Sequence, residues 1–183
     1  MTAVRSGMEA GLIPKSEIFP RLLIACPSFL TTWELLQHDR NRESDDALQD
    51  RAIDAFSRHV TRIFRRSQTN DLAVTFSVIE RLFVEGEPYV QKKVRSLIGT
   101  LQSQSRASTK PDQMRRMLGT RSAEQWKDFD EYCQASRLIF EWEQSRTGTF
   151  PQVNLEAIKD PELRRSLQHI CDTYKRSRRR DLK

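Results

Sequence analysis

Residues 70 to 102 read NDLAVTFSVIERLFVEGEPYVQKKVRSLIGTLQ, and this stretch decides the fold. In its first half Leu72, Ala73, Val74, Phe76, Val78, Ile79, Leu82, Phe83 and Val84 surround the helical wheel almost completely, leaving mainly Glu80 and Arg81 for water. That is the pattern of a helix buried on most sides. The step Gly86-Glu87-Pro88 ends it, because glycine tolerates the left-handed backbone that closes a helix and Pro88 suits the first turn of the next. In the second half Val90, Val94, Leu97, Ile98 and Leu101 form one stripe, with Gln91, Lys92, Lys93 and Arg95 facing outward. The stretch is a helix hairpin.

Upstream, Ser16 precedes an apolar-sided helix through Cys26 that Pro27 ends, with Pro20 tolerated only near its start. Thr31 and Glu34 have the spacing of a capping box for a short helix to about His38. Ser44 caps a long helix from Asp45 to about Ser67, whose core stripe is Leu48, Ala52, Phe56, Val60, Ile63 and Phe64. Downstream, after a Ser-rich break, Pro111 opens a short helix stopped by Gly119. Ser122 and Gln125 then read as a second capping box, for a helix to about Gln144 with Trp126, Phe129, Cys133 and Phe140 on one side. Tyr132, Ile139 and Trp142 lie off that side, a surplus apolar face that needs the C-terminal segment or another protein to cover it. Asn154 reads as the cap of a turn over Leu155 to Lys159, and Asp160-Pro161-Glu162 starts a last helix with the stripe Leu163, Leu167, Ile170, Cys171 and Tyr174.

No strong strand signal occurs, so the expectation is an all-α chain: an antiparallel array or bundle of about six to eight helices, HEAT-like in its pairing but without a legible internal repeat. Its expected organisation is a flexible arm over 1–15, a helical core over 16–144, a C-terminal loop and helix over 145–174 packing on that core, and a basic tail over 175–183. The net charge of +6 belongs almost wholly to that tail, where six basic side chains stand against Asp181. No stretch approaches the run of about 18 apolar residues that a membrane span needs. The N-terminus has no apolar core of signal-peptide length, so the expected location is the cytoplasm, with no membrane partner. The three cysteines, Cys26, Cys133 and Cys171, are spaced unlike a disulfide framework or a metal knuckle.

Several uncommon clusters recur together: Ile18-Phe19-Pro20-Arg21-Leu22-Leu23 with Ala25-Cys26-Pro27-Ser28-Phe29 and Trp33-Glu34, then Phe56-Ser57-Arg58-His59-Val60, then Phe76 to Val90, and lastly Leu118-Gly119 with Trp126. In this set, from about Ile18 to Cys133, the chain resembles a family of small bacterial domains of unknown function. The resemblance implies an all-helical fold without an assigned active site. It also implies kinship with members that look like immunity or defence-neighbourhood proteins.

Motifs for metalloproteases, phosphate-binding loops, dinucleotide binding and nucleophile elbows are absent, and six glycines leave no phosphate cradle. Glu34 and His38 share a helical face beside Asp39, yet two or three ligands without another partner define no metal site. His59 and His169 read as packing or boundary histidines, and Cys171 points away from His169 on a helix. No enzyme activity, cofactor or metal is expected. The candidates for partner binding are Glu80, Glu85 and Glu87 around the central turn, Tyr89 beside it, and Trp142 off the main stripe. The expected function is protein–protein interaction, as an immunity protein that neutralises a cognate toxin by covering its site. The alternative is a nucleic-acid-associated protein binding through Lys175, Arg176, Arg178, Arg179 and Arg180.

Overall fold

The computed structural model describes residues 11–39, 43–66, 72–106, 111–145 and 149–181. The first ten residues of the expected arm, the Ser67 end of the long helix and the side chains of Arg178, Arg179 and Arg180 lie outside the described residues. The fold is all-α. Among the described residues eight helices follow in order: α1 (Ile18–Ala25), α2 (Leu30–His38), α3 (Asp45–Arg65), α4 (Leu72–Glu85), α5 (Pro88–Ser105), α6 (Pro111–Arg116), α7 (Thr120–Ser145) and α8 (Pro161–Asp181). Short 3-10 turns cover Lys15–Glu17, Pro27–Phe29 and Leu155–Ala157. None of the described helices is long and apolar enough to cross a membrane. The chain divides into two compact units, Met1–Leu97 and Ile98–Lys183, with the division inside α5.

In the first unit α1 packs against α4, and α2 and α4 pack against α3. Register along the first pair follows from two contacts: Thr75 Oγ1 donates to the Ala25 carbonyl at 3.2 Å, and Ile13 N donates to the Glu85 carbonyl at 2.8 Å. Early residues meet the end of α4 and later ones its start, so α1 and α4 are antiparallel. Between the layers Leu22, Phe29, Phe56, Phe76, Ile79 and Leu82 are wholly buried, with the Phe29 and Phe56 rings edge-on at 5.0 Å. The Ser44 cap forms, its Oγ accepting from Ala47 N at 3.3 Å, and the long helix buries the expected stripe.

Four local expectations change. First, α4 buries one side only; Val74 and Val84 are 55% and 57% exposed. Its neighbours cover Leu72, Thr75, Phe76, Ile79, Leu82 and Phe83, Val78 is half-buried, and Ala73, Val74 and Val84 face water. Second, Gly86 does not adopt the left-handed backbone; a Cβ there would stand 2.3 Å from the Leu82 carbonyl oxygen and 2.6 Å from Val90 Cγ1. Glycine is required for close approach. Third, Thr31 caps nothing, because the Pro27–Phe29 turn already feeds α2 in helical geometry and Phe29 takes the cap position. Fourth, residues 11–15 are attached rather than loose: Ile13 makes a parallel bridge to Gly86, with Glu87 N donating to the Ile13 carbonyl at 3.0 Å.

In the second unit α6 packs on α7 and α7 on α8. Ser122 is buried inside α7, which begins at Thr120 rather than at a capping box. Asn154 stands before its 3-10 turn without a side-chain cap hydrogen bond. The start of α8 is held as the sequence suggests, Asp160 Oδ1 accepting from Glu162 N at 2.8 Å and Leu163 N at 3.1 Å. Behind it, buried Asp128 accepts from Lys159 N at 3.0 Å and Asp160 N at 2.7 Å. The Tyr132 hydroxyl meets Ser166 Oγ at 3.2 Å, and Glu143 bonds the Tyr174 phenol further along. Contacts thus advance together on both helices, so α7 and α8 run parallel. Residues 149–160 carry the chain back along them.

That return covers the surplus apolar face of α7. Ile139, Ile158, Leu167 and Cys171 form a buried cluster flanked by Tyr132, Phe150, Val153 and Leu155. Trp142 is half-buried and edge-on to Phe150 at 5.0 Å. Phe140, expected on the packed side, is 57% exposed instead.

Candidate functional site

Around the turn between α4 and α5 the first unit gathers its densest polar arrangement. Tyr89 is its centre. The phenol donates to Asp46 Oδ1 at 2.8 Å and Gln49 Oε1 at 3.2 Å, both on α3. Two ammonium groups stand over its ring, Lys15 Nζ at 4.7 Å and Lys93 Nζ at 5.3 Å from the centroid. Lys15 pairs with Asp46 at 2.5 Å and Lys93 pairs with Asp50. Glu87 accepts from the Lys15 backbone N–H at 2.9 Å. Lys93 is therefore not an outward side chain; its stem is buried and its charge is brought back to α3, a snorkelling arrangement that wheel spacing does not reveal.

The charges explain the titration of the group. Hydrogen bonds from Lys15 and then Tyr89 hold the Asp46 carboxyl below the usual carboxylate range. Burial, then the Asp46 bond, pushes the Tyr89 phenol up. The Asp46 bond raises Lys15; at Lys93 burial opposes the change, but the Asp50 bond and Tyr89 carry it upward. A depressed carboxyl stabilises the fold above its unfolded pKa and loses that contribution as pH falls through the folded one. The raised lysines and phenol contribute below their unfolded values and lose it as pH rises through the folded ones. Lys15→Met should accordingly lower the unfolding midpoint most near neutral pH. The gap from wild type closes as pH falls below about 4 through the depressed Asp46 pKa and as it rises beyond about 10.5 through the raised Lys15 pKa, which thermal melts across pH measure directly.

Of the remaining candidates near this turn, Glu85 accepts from Arg81 in bidentate fashion, at 3.2 and 3.1 Å, and the pair is exposed. Arg21 on α1 adds its charge to the Glu85 surroundings. Val74, Arg81 and Glu85 recur at helical spacing on one face of α4, while Glu80 is offset from it. At the far end of the pair, Ile24 and Val74 flank the Thr75–Ala25 hydrogen bond and are 80% and 55% exposed. On the other side of α1, the Phe19 and Trp33 rings stack at 4.3 Å and line a recess of about 300 Å³ with Lys15, Leu23 and Gln49 at its edge.

His59 Nε2 lies 2.9 Å from Ser28 Oγ, which is 3.6 Å from Cys26 Sγ. Burial, followed by Arg62, lowers the imidazole pKa, and the ring packs against Phe29 at 5.5 Å. It fastens the Pro27–Phe29 turn to α3. Among the described residues no three His, Cys, Asp or Glu side chains gather as a metal-holding group. In the second unit, Trp142 belongs to the α7 packing described above. Lys175 and Arg176 are exposed near the end of α8, which continues through Asp181, so the backbone of the expected basic tail is helical that far.

The sequence marks Glu87 and Tyr89 beside the turn, whereas Lys15, Asp46, Gln49, Asp50 and Lys93 gather around them only through folding. Sequence reasoning missed Asp128, although a signal existed: Asp128 stands in phase with Gln125, Tyr132, Ala135, Ile139 and Trp142, an acid on an otherwise buried-type stripe.

Comparison with curated proteins and with solved structures gives no match. A family model described as a domain of unknown function (DUF7674) matches residues 19–134, and the chain belongs to that family.

Proposed function

We propose that this protein works by binding another protein, without chemistry of its own, and that the partner seats on the α1/α4 face. The observation that carries this reading is the exposure of Ile24 and Val74 on either side of a hydrogen bond that fixes the two helices together. Both helices already fill the core from their other sides, so neither aliphatic group serves the fold. Burying such a side chain in an interface is worth roughly 1.5–3 kcal/mol. Further along the two helices Arg21, Arg81 and Glu85 supply charges that would set orientation and partner choice.

The finer reading is that the partner is a toxin whose functional site this surface covers. The likeness of some members of the resembled family to immunity proteins supports it, and occlusion asks only for shape and charge complementarity. The test is capture of partners from the native host after nuclease treatment and a wash at about 0.3 M salt, where phosphate-driven contacts weaken by orders of magnitude. Wild type should retain one stoichiometric protein. Ile24→Asp with Val74→Asp should lose it at least a hundredfold while melting as wild type does, since both side chains are solvated in the free protein. Retention by the double variant would remove the α1/α4 assignment.

A second reading rests on exposed Lys175 and Arg176 at the end of α8 and on the basic residues that follow. Nucleic-acid binding there would be steeply salt-dependent and would vanish on deletion of 175–183.

A further inference from the structure

Within the second unit a groove of about 540 Å³ runs between residues 150–155 and α8. Its helix wall is Gln168, Cys171 and Lys175, one face at i, i+3 and i+7. Its other wall, up to Asn154, is neither helix nor strand. From Pro151 to Leu155 the partly buried Pro151, Val153 and Leu155 alternate with exposed Gln152 and Asn154, which is the two-residue period of extended chain. Phe150, Val153 and Leu155 pack against the buried cluster under this segment, so it is anchored in place. Among the described residues no partner meets the backbone N–H of Gln152 or Val153.

An anchored extended segment with open backbone groups, facing a helix across a groove, is a template for one more strand. We infer that this groove takes an extended peptide segment of a protein partner, pairing with the backbone at Gln152 and placing one carboxylate at Lys175. The charge argument fixes that end. Lys175 Nζ lies 5.0 Å over the Phe150 ring, so a cation and an aromatic face stand together where the groove meets the basic end of α8. Asp172 beside it and Glu143 on Tyr174 limit how much further negative charge the neighbourhood accepts, which favours a peptide with a single acid there over a string of phosphates. The groove wall at Cys171 is a neutral thiol, because burial pushes its pKa up, and it suits an apolar side chain of the peptide. This groove shares no residue with the α1/α4 face, and its failure would leave the proposal for that face standing.

The experiment uses the full chain and a display library of random linear peptides as the probe. Selected peptides should share an acid preceded by alternating apolar residues, and amide spectra should shift at Gln152, Val153 and Lys175 during titration. Gln152→Pro removes one N–H that has no partner among the described residues and should weaken binding at least tenfold with an unchanged melting curve, while Gln152→Ala keeps the N–H and should bind as wild type. Lys175→Glu should weaken acidic peptides about tenfold and leave amidated, acid-free versions unaffected. Peptides that shift other residues, or that bind Gln152→Pro as tightly as wild type, would overturn the inference. So would single-stranded RNA displacing the peptides from Lys175 at moderate salt, which would assign the groove to nucleic acid instead.

Discussion

Replacing Gly86 by alanine should destabilise the first unit by roughly 3 kcal/mol, the upper range for overpacking a closed site. The added methyl would sit inside contact distance of both the Leu82 carbonyl oxygen and Val90. Neither can retreat easily, because Leu82 belongs to the last turn of α4 and Val90 is fully buried at the start of α5. Any shift also disturbs the bridge that holds Ile13, and with it the Lys15 contacts to Asp46, Glu87 and Tyr89. Thermal unfolding should show a midpoint lowered by at least about 10 °C. Gly11→Ala is the control: nothing lies within 4 Å of its Cβ position, and it should melt as wild type does. An unchanged midpoint for Gly86→Ala would mean that the turn is looser than described.

Asp128→Ala carries the second large effect. This carboxylate is 5% exposed, and both oxygens are used, one for Lys159 N–H and the other for Asp160 N–H. Removing it leaves two amides without their acceptor, the Asp160 N–H buried, at roughly 1–3 kcal/mol, and the Lys159 N–H half-buried, at less. The loss falls where Asp160 caps α8 and Arg164 donates twice to the Ile158 carbonyl, at 2.9 and 2.6 Å, so the whole start of that helix depends on it. Hydrogen exchange should quicken at residues 159–163 before the rest of the unit responds. Asp128→Asn keeps one acceptor oxygen and should lose about half as much. Equal exchange in Asp128→Ala and wild type would contradict the role assigned to the carboxylate.

The elements with local causes were legible in the sequence. The end of α4 and start of α5 around Gly86–Pro88, the Ser44 cap and the Asp160 start of α8 depend on residues a few positions apart, and spacing places them well. The capping boxes at Thr31 and Ser122 failed for an equally local reason: each sits inside a helix that earlier residues had already begun, so its hydroxyl has no free helix end to serve. Periodicity misjudged Lys93, Val74 and Phe140 because it assigns a face without saying whether a neighbour covers it. The Tyr89 group was half legible. Glu87 and Tyr89 stand beside a turn that the sequence marks, whereas Asp46 and Lys15 reach it from 43 and 72 residues away along their respective hydrogen bonds. Pairings over such distances are set by how α1, α3 and α5 pack, and no short pattern encodes them. The parallel run of α7 and α8 was hidden in the same way, since it depends on the path that residues 149–160 take back along the pair.

The most direct measurement of the central claim is a titration of the captured partner's activity with this protein. Occlusion predicts complete suppression at equimolar ratio, insensitivity to deletion of 175–183, and loss of suppression in the Ile24→Asp, Val74→Asp variant. Full partner activity in the presence of excess protein, with the complex formed, would contradict it.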